Sequence, residues 1–98
     1  MSYFDIIGEA AQVRDRAHEV CFDFLMQELE LGMSLCRIVQ SDHSEHLAKQ
    51  HRIDADKAYR TALRFAETME LNKEERAAFN KQELKLRQML EELSSGAN

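Results

Sequence analysis

Three of the histidines, His43, His46 and His51, lie close together in the chain. Imidazole nitrogens bind transition metals, and carboxylates lie beside them at Asp42 and Glu45. Asp42 and His46 are four residues apart, so one turn of helix would place them on the same side. Zinc sites usually supply three or four closely spaced ligands, and no cysteine is near. We therefore expect a solvated polar turn, and keep a metal-binding or enzymatic domain using His43 and His46 as an alternative function.

Glu28 is a candidate general acid, because it lies near the predicted core face of the first helix. A buried carboxylate needs a partner, or its pKa rises. We expect Glu28 to pair with a basic side chain of the second helix, and the candidates are His51, Arg60 and Arg64. Acid–base catalysis would require a second carboxylate, and none is compellingly placed opposite. The chain is therefore predicted to have no catalytic residues and no cofactor, and not to be an enzyme.

Asp15 and His18 have a spacing related to that of one ligand pair in di-iron four-helix bundles. Such sites need a second pair, two further carboxylates and a fourth helix. The sequence supplies no second pair, and its periodicity predicts only three helices. The spacing therefore predicts no di-iron centre.

The overall composition is acidic and favours helix. Proline is absent, and eighteen Asp and Glu residues outnumber thirteen Lys and Arg residues. An acidic surface repels phosphate, so nucleic acid is not expected as a partner. No apolar run reaches the roughly 18 residues that cross a bilayer, and the N-terminus lacks the pattern of a signal peptide. We expect a cytoplasmic protein that does not bind a membrane.

Apolar residues recur every three or four positions, and this periodicity predicts helices over about 3–40, 44–70 and 73–94. Short connections between amphipathic helices favour an all-α, antiparallel three-helix bundle (up-down-up), with 1–98 as a single helical domain. Gly8 weakens a helix by about 1 kcal/mol relative to alanine. Residues 3–13 therefore either continue the first helix or form a short extra N-terminal helix that folds back.

Local signals mark both turns between these helices. Small polar residues before the second helix are expected to cap it. Asn72 is predicted to cap the third helix, with Glu75 completing a capping box. Two ion pairs spaced four apart are expected to support the helices, and they are Asp56–Arg60 and Glu83–Arg87.

The first helix carries a heptad stripe of apolar residues, which is typical of a helix that packs along one seam. Its members are Tyr3, Ile6, Ala10, Val13, Ala17, Val20 and Phe24. Gln27 interrupts the stripe, which resumes at Leu31, Leu35 and Ile38 and is interpreted there as displaced by one residue. A continuous first helix would extend roughly 57 Å and the third only about 33 Å. The shorter helices therefore cannot cover all of it.

The uncovered N-terminal segment is the predicted interaction surface, formed by Tyr3, Phe4, Ile6, Ile7, Ala10 and Val13. Four large apolar residues in so short a segment form a patch that a monomer seldom leaves in water. We expect a non-enzymatic interaction or assembly module. It is expected to associate through this surface as a homodimer or to bind another protein.

In the second helix, Ala55, Tyr59, Ala62 and Leu63 have the spacing A-x-x-x-Y-x-x-A-L. This spacing resembles the second helix of a tetratricopeptide repeat, where small residues pack against the partner helix. The preceding segment departs from the repeat's pattern, and no second copy appears at a period of about 34 residues. The resemblance implies a peptide-binding unit as a further alternative. The chain is otherwise similar to small bacterial helical proteins, and that likeness implies no function.

Overall fold

The computed structural model describes residues 3–41 and 44–95, and for residues 3–7 it describes the helical backbone alone. The described residues form three α-helices, which are α1 (Tyr3–Ser41), α2 (Glu45–Thr68) and α3 (Lys73–Ser95). The described ranges contain no strand. The predicted all-α, three-helix architecture is confirmed.

The helix α1 is a single continuous helix of 39 residues. It passes through Gly8 without interruption, so residues 3–13 continue α1 and do not form a separate helix. The molecule extends 65 Å along its longest axis and only 23 Å and 18 Å across it. Every residue from 8 to 17 is exposed, so this part of α1 projects beyond the other two helices.

The two turns are fixed by the expected caps. Ser44 adopts an extended conformation before α2, and its hydroxyl accepts a hydrogen bond from the Leu47 amide at 3.5 Å. At the second turn the Glu75 amide donates to Asn72 Oδ1 at 2.8 Å, and the Asn72 amide donates to Glu75 Oε1 at 3.0 Å. The predicted capping box is confirmed, and it satisfies two amides that the helix itself leaves unpaired.

Contacts between helices establish the up-down-up order. Glu75 at the start of α3 contacts His18 of α1, and Leu86, further along α3, packs on Gly32 of α1. The helix α3 therefore runs parallel to α1, while α2 connects them in the opposite direction. The helix α1 contacts both neighbours more extensively than these contact one another.

The core is formed where one face of α1 meets small residues of α2 and large residues of α3. Its members from α1 are Leu25, Leu29, Met33 and Cys36. The helix α2 buries Ala55, Ala58, Ala62 and Ala66, and α3 buries Phe79 and Leu86. Alanine has the smallest side chain after glycine, so α2 can approach α1 closely.

Two glycine-to-alanine substitutions in α1 should change stability in opposite directions. Each removes a helix penalty of about 1 kcal/mol. A Cβ at Gly8 meets no atom within 4 Å, so Gly8→Ala should stabilise α1. A Cβ at Gly32 would lie 2.6 Å from Cδ2 of the fully buried Leu86. Overpacking of this kind costs about 1–3 kcal/mol, so Gly32→Ala should lower the urea midpoint followed by circular dichroism.

The control is the same change in a Leu86→Ala background. There the obstructing methyl groups are gone, and Gly32→Ala should raise the midpoint relative to Leu86→Ala alone. Stabilisation by Gly32→Ala in the otherwise unchanged protein would show that this contact does not limit the approach of α3.

Candidate functional site

A line of exposed apolar side chains runs along α1 and is here named the α1 stripe. It consists of Val13, Val20, Phe24, Leu31 and Ile38. Between 42 % and 69 % of each side chain is exposed. They follow heptad spacing, which keeps successive residues on one side of a helix.

The α1 stripe lies on the opposite side of α1 from the core. Each residue of an α-helix is rotated by about 100° from the one before it, so residues two apart point in nearly opposite directions. Leu29 is fully buried and Leu31 is exposed, and the same relation holds between Cys36 and Ile38. The helix therefore has two apolar faces, and its own α2 and α3 cover only one.

The geometry corrects one detail of the sequence interpretation. Leu31 and Ile38 continue the line of Phe24 at intervals of seven residues, so the stripe is not displaced after Gln27. Leu35 departs from this line because it packs against the core cluster. Gln27 and its heptad successor Ser34 are exposed polar members of the same face.

The stripe borders on α2. The rings of Phe24 and Phe65 meet edge to face, with centroids 5.2 Å apart. Leu47 precedes Phe65 by eighteen residues, about five helical turns, and therefore lies on the same side of α2. It is 49 % exposed. Leu47 thus extends the apolar surface beside the C-terminal half of α1.

Charged residues flank the stripe on both sides. On the first flank the exposed charged residues, spaced by seven, are Glu9, Arg16, Asp23, Glu30 and Arg37. On the second flank the corresponding residues are Arg14, Cys21, Glu28 and Leu35. A mainly apolar line with charged residues beside it is the usual composition of a helix that packs against another helix.

The sequence-predicted interaction surface lies at the N-terminal end of this stripe. Ala10 and Val13 are exposed, with Val13 at 69 %. The backbone at Tyr3, Phe4, Ile6 and Ile7 continues the same helix, and their side chains lie outside the described residues.

The histidine cluster is only partly described. His43 lies outside the described residues, and His46 is exposed in the first turn of α2. His51 is half-buried, and its buried Nδ1 has no hydrogen-bond partner among the residues that the structure describes. No three His, Cys, Asp or Glu residues within the described ranges are grouped so that they could hold a metal ion.

Glu28 is half-buried on the second flank of the stripe. Of the partners expected for it, Arg60 instead pairs with Asp56, with Nε 2.9 Å from the carboxylate. Arg87 pairs similarly with Glu83 at 3.5 Å. Both predicted pairs spaced four apart are thus present.

An interhelical contact that the sequence did not predict joins α1 to α3. His18 Nε2 donates to both carboxylate oxygens of Glu75, at 2.9 Å and 3.0 Å. Glu75 therefore joins the capping box to α1. The hydrogen bond from the Asn72 backbone and the contact with His18 hold the pKa of Glu75 below its usual value. The sequence indicated the cap but carried no signal for the long-range partner.

Cys36, which is buried, and Tyr59, which is half-buried, have environments that oppose catalysis by an anionic nucleophile. Burial raises the pKa of the Cys36 thiol. Burial also raises the pKa of Tyr59, and the nearby Glu83 carboxylate raises it further. The Tyr59 hydroxyl donates to Glu83 across the α2–α3 contact at 3.4 Å.

An open cleft of about 390 Å³ lies between α2 and α3. Its charged lining is Arg52, Asp56, Lys57 and Arg60. Nε of Arg52 is buried and lacks a hydrogen-bond partner in the described part of the chain. This lining favours an anion, but its described residues do not combine a nucleophile with a positioned base.

Comparisons with known proteins leave the chain without an assigned relative. No family model, curated protein or solved structure matches it. The resemblance to a tetratricopeptide repeat stays a prediction. In the described ranges, none of the helices is both long enough and apolar enough to span a bilayer.

Glu75→Gln should reduce the loss of stability in acid. Because the folded pKa of Glu75 is lowered, its ionised form stabilises the fold at pH above the usual value of 4.5. This contribution disappears as the pH falls through the lowered pKa. Wild-type protein should therefore lose more stability on acidification than Glu75→Gln, as measured by urea midpoints in a pH series.

Glu74→Gln is the matched control, because it removes the same charge from an adjacent exposed position in the first turn of α3. It should keep the wild-type acid response. Equal acid responses of wild type and Glu75→Gln would contradict a stabilising role for the ionised capping contact.

Proposed function

We propose that this protein is a non-enzymatic assembly module that associates with a second copy of itself through the α1 stripe. The observation that carries the proposal is the exposure of five large apolar side chains at heptad spacing along one side of α1. They lie along a helix that also projects beyond its own bundle.

The energetic argument follows from the area left in contact with water. Burying the exposed half of a valine, leucine, isoleucine or phenylalanine side chain stabilises an assembly by about 1 kcal/mol. Isolated exposed apolar side chains are ordinary, but several of them aligned on one face of a helix indicate an interaction surface. The predicted surface at Ala10 and Val13 then forms one end of a longer interface.

The form of the surface favours another helix as its occupant. Heptad spacing presents a straight seam, and a second helix with the same spacing can insert its side chains along the whole length. The chain itself offers such a helix in α1. Self-association therefore needs no surface beyond the one already present.

Leu31→Lys and Leu84→Lys form a matched pair that tests this function. The two leucines are 48 % and 43 % exposed, but only Leu31 belongs to the α1 stripe. Both variants should fold. Leu31→Lys should weaken dimerisation by about 3 kcal/mol, roughly a hundredfold, because it buries an unpaired charge.

Sedimentation equilibrium at a series of concentrations measures the effect. Leu84→Lys should dimerise like the wild type. A wild-type protein that stays monomeric throughout the series, or equal weakening by both substitutions, would refute self-association through the stripe.

Deleting residues 1–12 should weaken the dimer while leaving the bundle folded. Residues 8–12 are exposed and contribute nothing to the core, so the urea midpoint of the monomer should change little. Light scattering should show a larger monomer fraction at equal concentration. An unchanged monomer–dimer equilibrium would mean that the projecting end of α1 lies outside the interface.

A further inference from the structure

We infer that the two copies pair through antiparallel α1 helices that lie side by side along their whole length, with the twofold axis near residue 22. This inference rests on the proposed function, since it specifies the geometry of that same interface. Three observations support it, namely the heptad positions of the α1 stripe, the charges on its flanks and the position of residues 8–17 beyond the bundle.

The first argument is that this full-length overlap places the heptad positions of the two helices opposite one another. The apolar face of α1 has two series spaced by seven, one containing Phe24 and Leu31 and the other containing Val13 and Val20. In an antiparallel pair each series must face the other series. Aligning Tyr3–Ser41 with itself in reverse does this, because it places Val13 against Leu31 and Val20 against Phe24 of the second copy.

The same alignment accommodates the polar members of the face. Gln27 lies against Ala17 of the second copy, and Ser34 lies against Ala10. Each polar side chain thus faces a small one and keeps access to water. The large apolar residues face one another.

The second argument is charge complementarity. Antiparallel helices bring the same flank of both copies together. On the first flank Arg16 then faces Glu30, and Glu9 faces Arg37. On the second flank Arg14 faces Glu28. Twofold symmetry produces each of these attractive pairs twice.

Other alignments of the two helices do not combine attractive charge pairs on both flanks. In a parallel pair opposite flanks meet, so attraction between Glu9 and Arg14 is offset by repulsion between Asp23 and Glu28. Shifting the antiparallel pair by one heptad in one direction places Glu9 against Glu30, which offsets the attraction between Arg16 and Asp23. A shift in the other direction places Asp23 against Glu30. The full-length overlap retains one repulsion, between the Asp23 carboxylates of the two copies near the twofold axis.

The third argument is that each copy covers a surface that the other copy leaves exposed. Residues 8–17 project beyond the bundle, and the alignment places them against residues 27–36 of the second copy. That segment is covered by its own α2 and α3 on the core side alone. Residues 8–17 of each α1 therefore pack on the side of the other copy's α1 that faces away from its core, beside α2.

Charge reversal tests the alignment in the full-length protein. Arg16 and Glu30 are exposed and fourteen residues apart, roughly 21 Å along the helix, so they do not meet within one chain. Arg16→Glu should raise the dimer Kd about tenfold at low salt. Arg16→Glu combined with Glu30→Arg should restore a Kd near that of the wild type. A double variant that is weaker than either single variant would overturn the alignment.

Cysteine cross-linking gives an independent readout in a Cys21→Ser background. Oxidising a mixture of Val13→Cys and Leu31→Cys proteins should yield a covalent heterodimer, whereas Val13→Cys alone should yield little. A Val13→Cys and Phe24→Cys mixture is the control for a one-heptad shift. Efficient cross-linking of Val13→Cys to itself would indicate parallel pairing and overturn the inference.

These outcomes separate the inference from the function on which it rests. A dimer that Leu31→Lys dissociates, but that lacks charge-reversal rescue and the Val13–Leu31 cross-link, keeps the assembly function and refutes the antiparallel alignment. A protein without any dimer refutes both.

Discussion

The bundle depends on α1, because α2 and α3 bury their apolar faces against the same side of that helix and contact one another less. Close approach is achieved with small residues. Four alanines line the buried face of α2, and Gly32 leaves room for the fully buried Leu86. Both shorter helices are thus held near the C-terminal part of α1. The arrangement stabilises one side of a long helix and, apart from the contact between Phe24 and Phe65, leaves its other side and residues 8–17 without intramolecular cover.

This asymmetry explains why the exposed apolar residues of α1 form a line. A helix that served only the intramolecular core would need one apolar face, and charged residues would occupy the opposite side. Here apolar residues follow heptad spacing on the opposite side as well, and charged residues lie beside this line but not within it. The proposed assembly gives the second face a partner. The antiparallel alignment adds that each projecting segment packs against the segment that the other bundle leaves open.

Features set by neighbouring residues were predictable from the sequence. The Asn72–Glu75 capping box and the Asp56–Arg60 pair join residues three or four apart, so a single helical turn determines them. The two apolar faces of α1 were harder to separate, because both have helical periodicity. Packing against alanines and Leu86 decides which face is buried. The contact between His18 and Glu75 spans 57 positions, and only the docking of α3 brings these side chains together.

The projecting segment of α1 also has a dynamic consequence. Residues 8–17 are held in the helix by their own backbone hydrogen bonds and by continuity with the buried part of α1, without tertiary cover. Local opening in such a segment requires little free energy, so its amides exchange with solvent faster than those near Leu29. A partner that covers the segment slows this exchange. The amide protons between Gly8 and Ala17 therefore report binding directly, even when the bundle itself does not change.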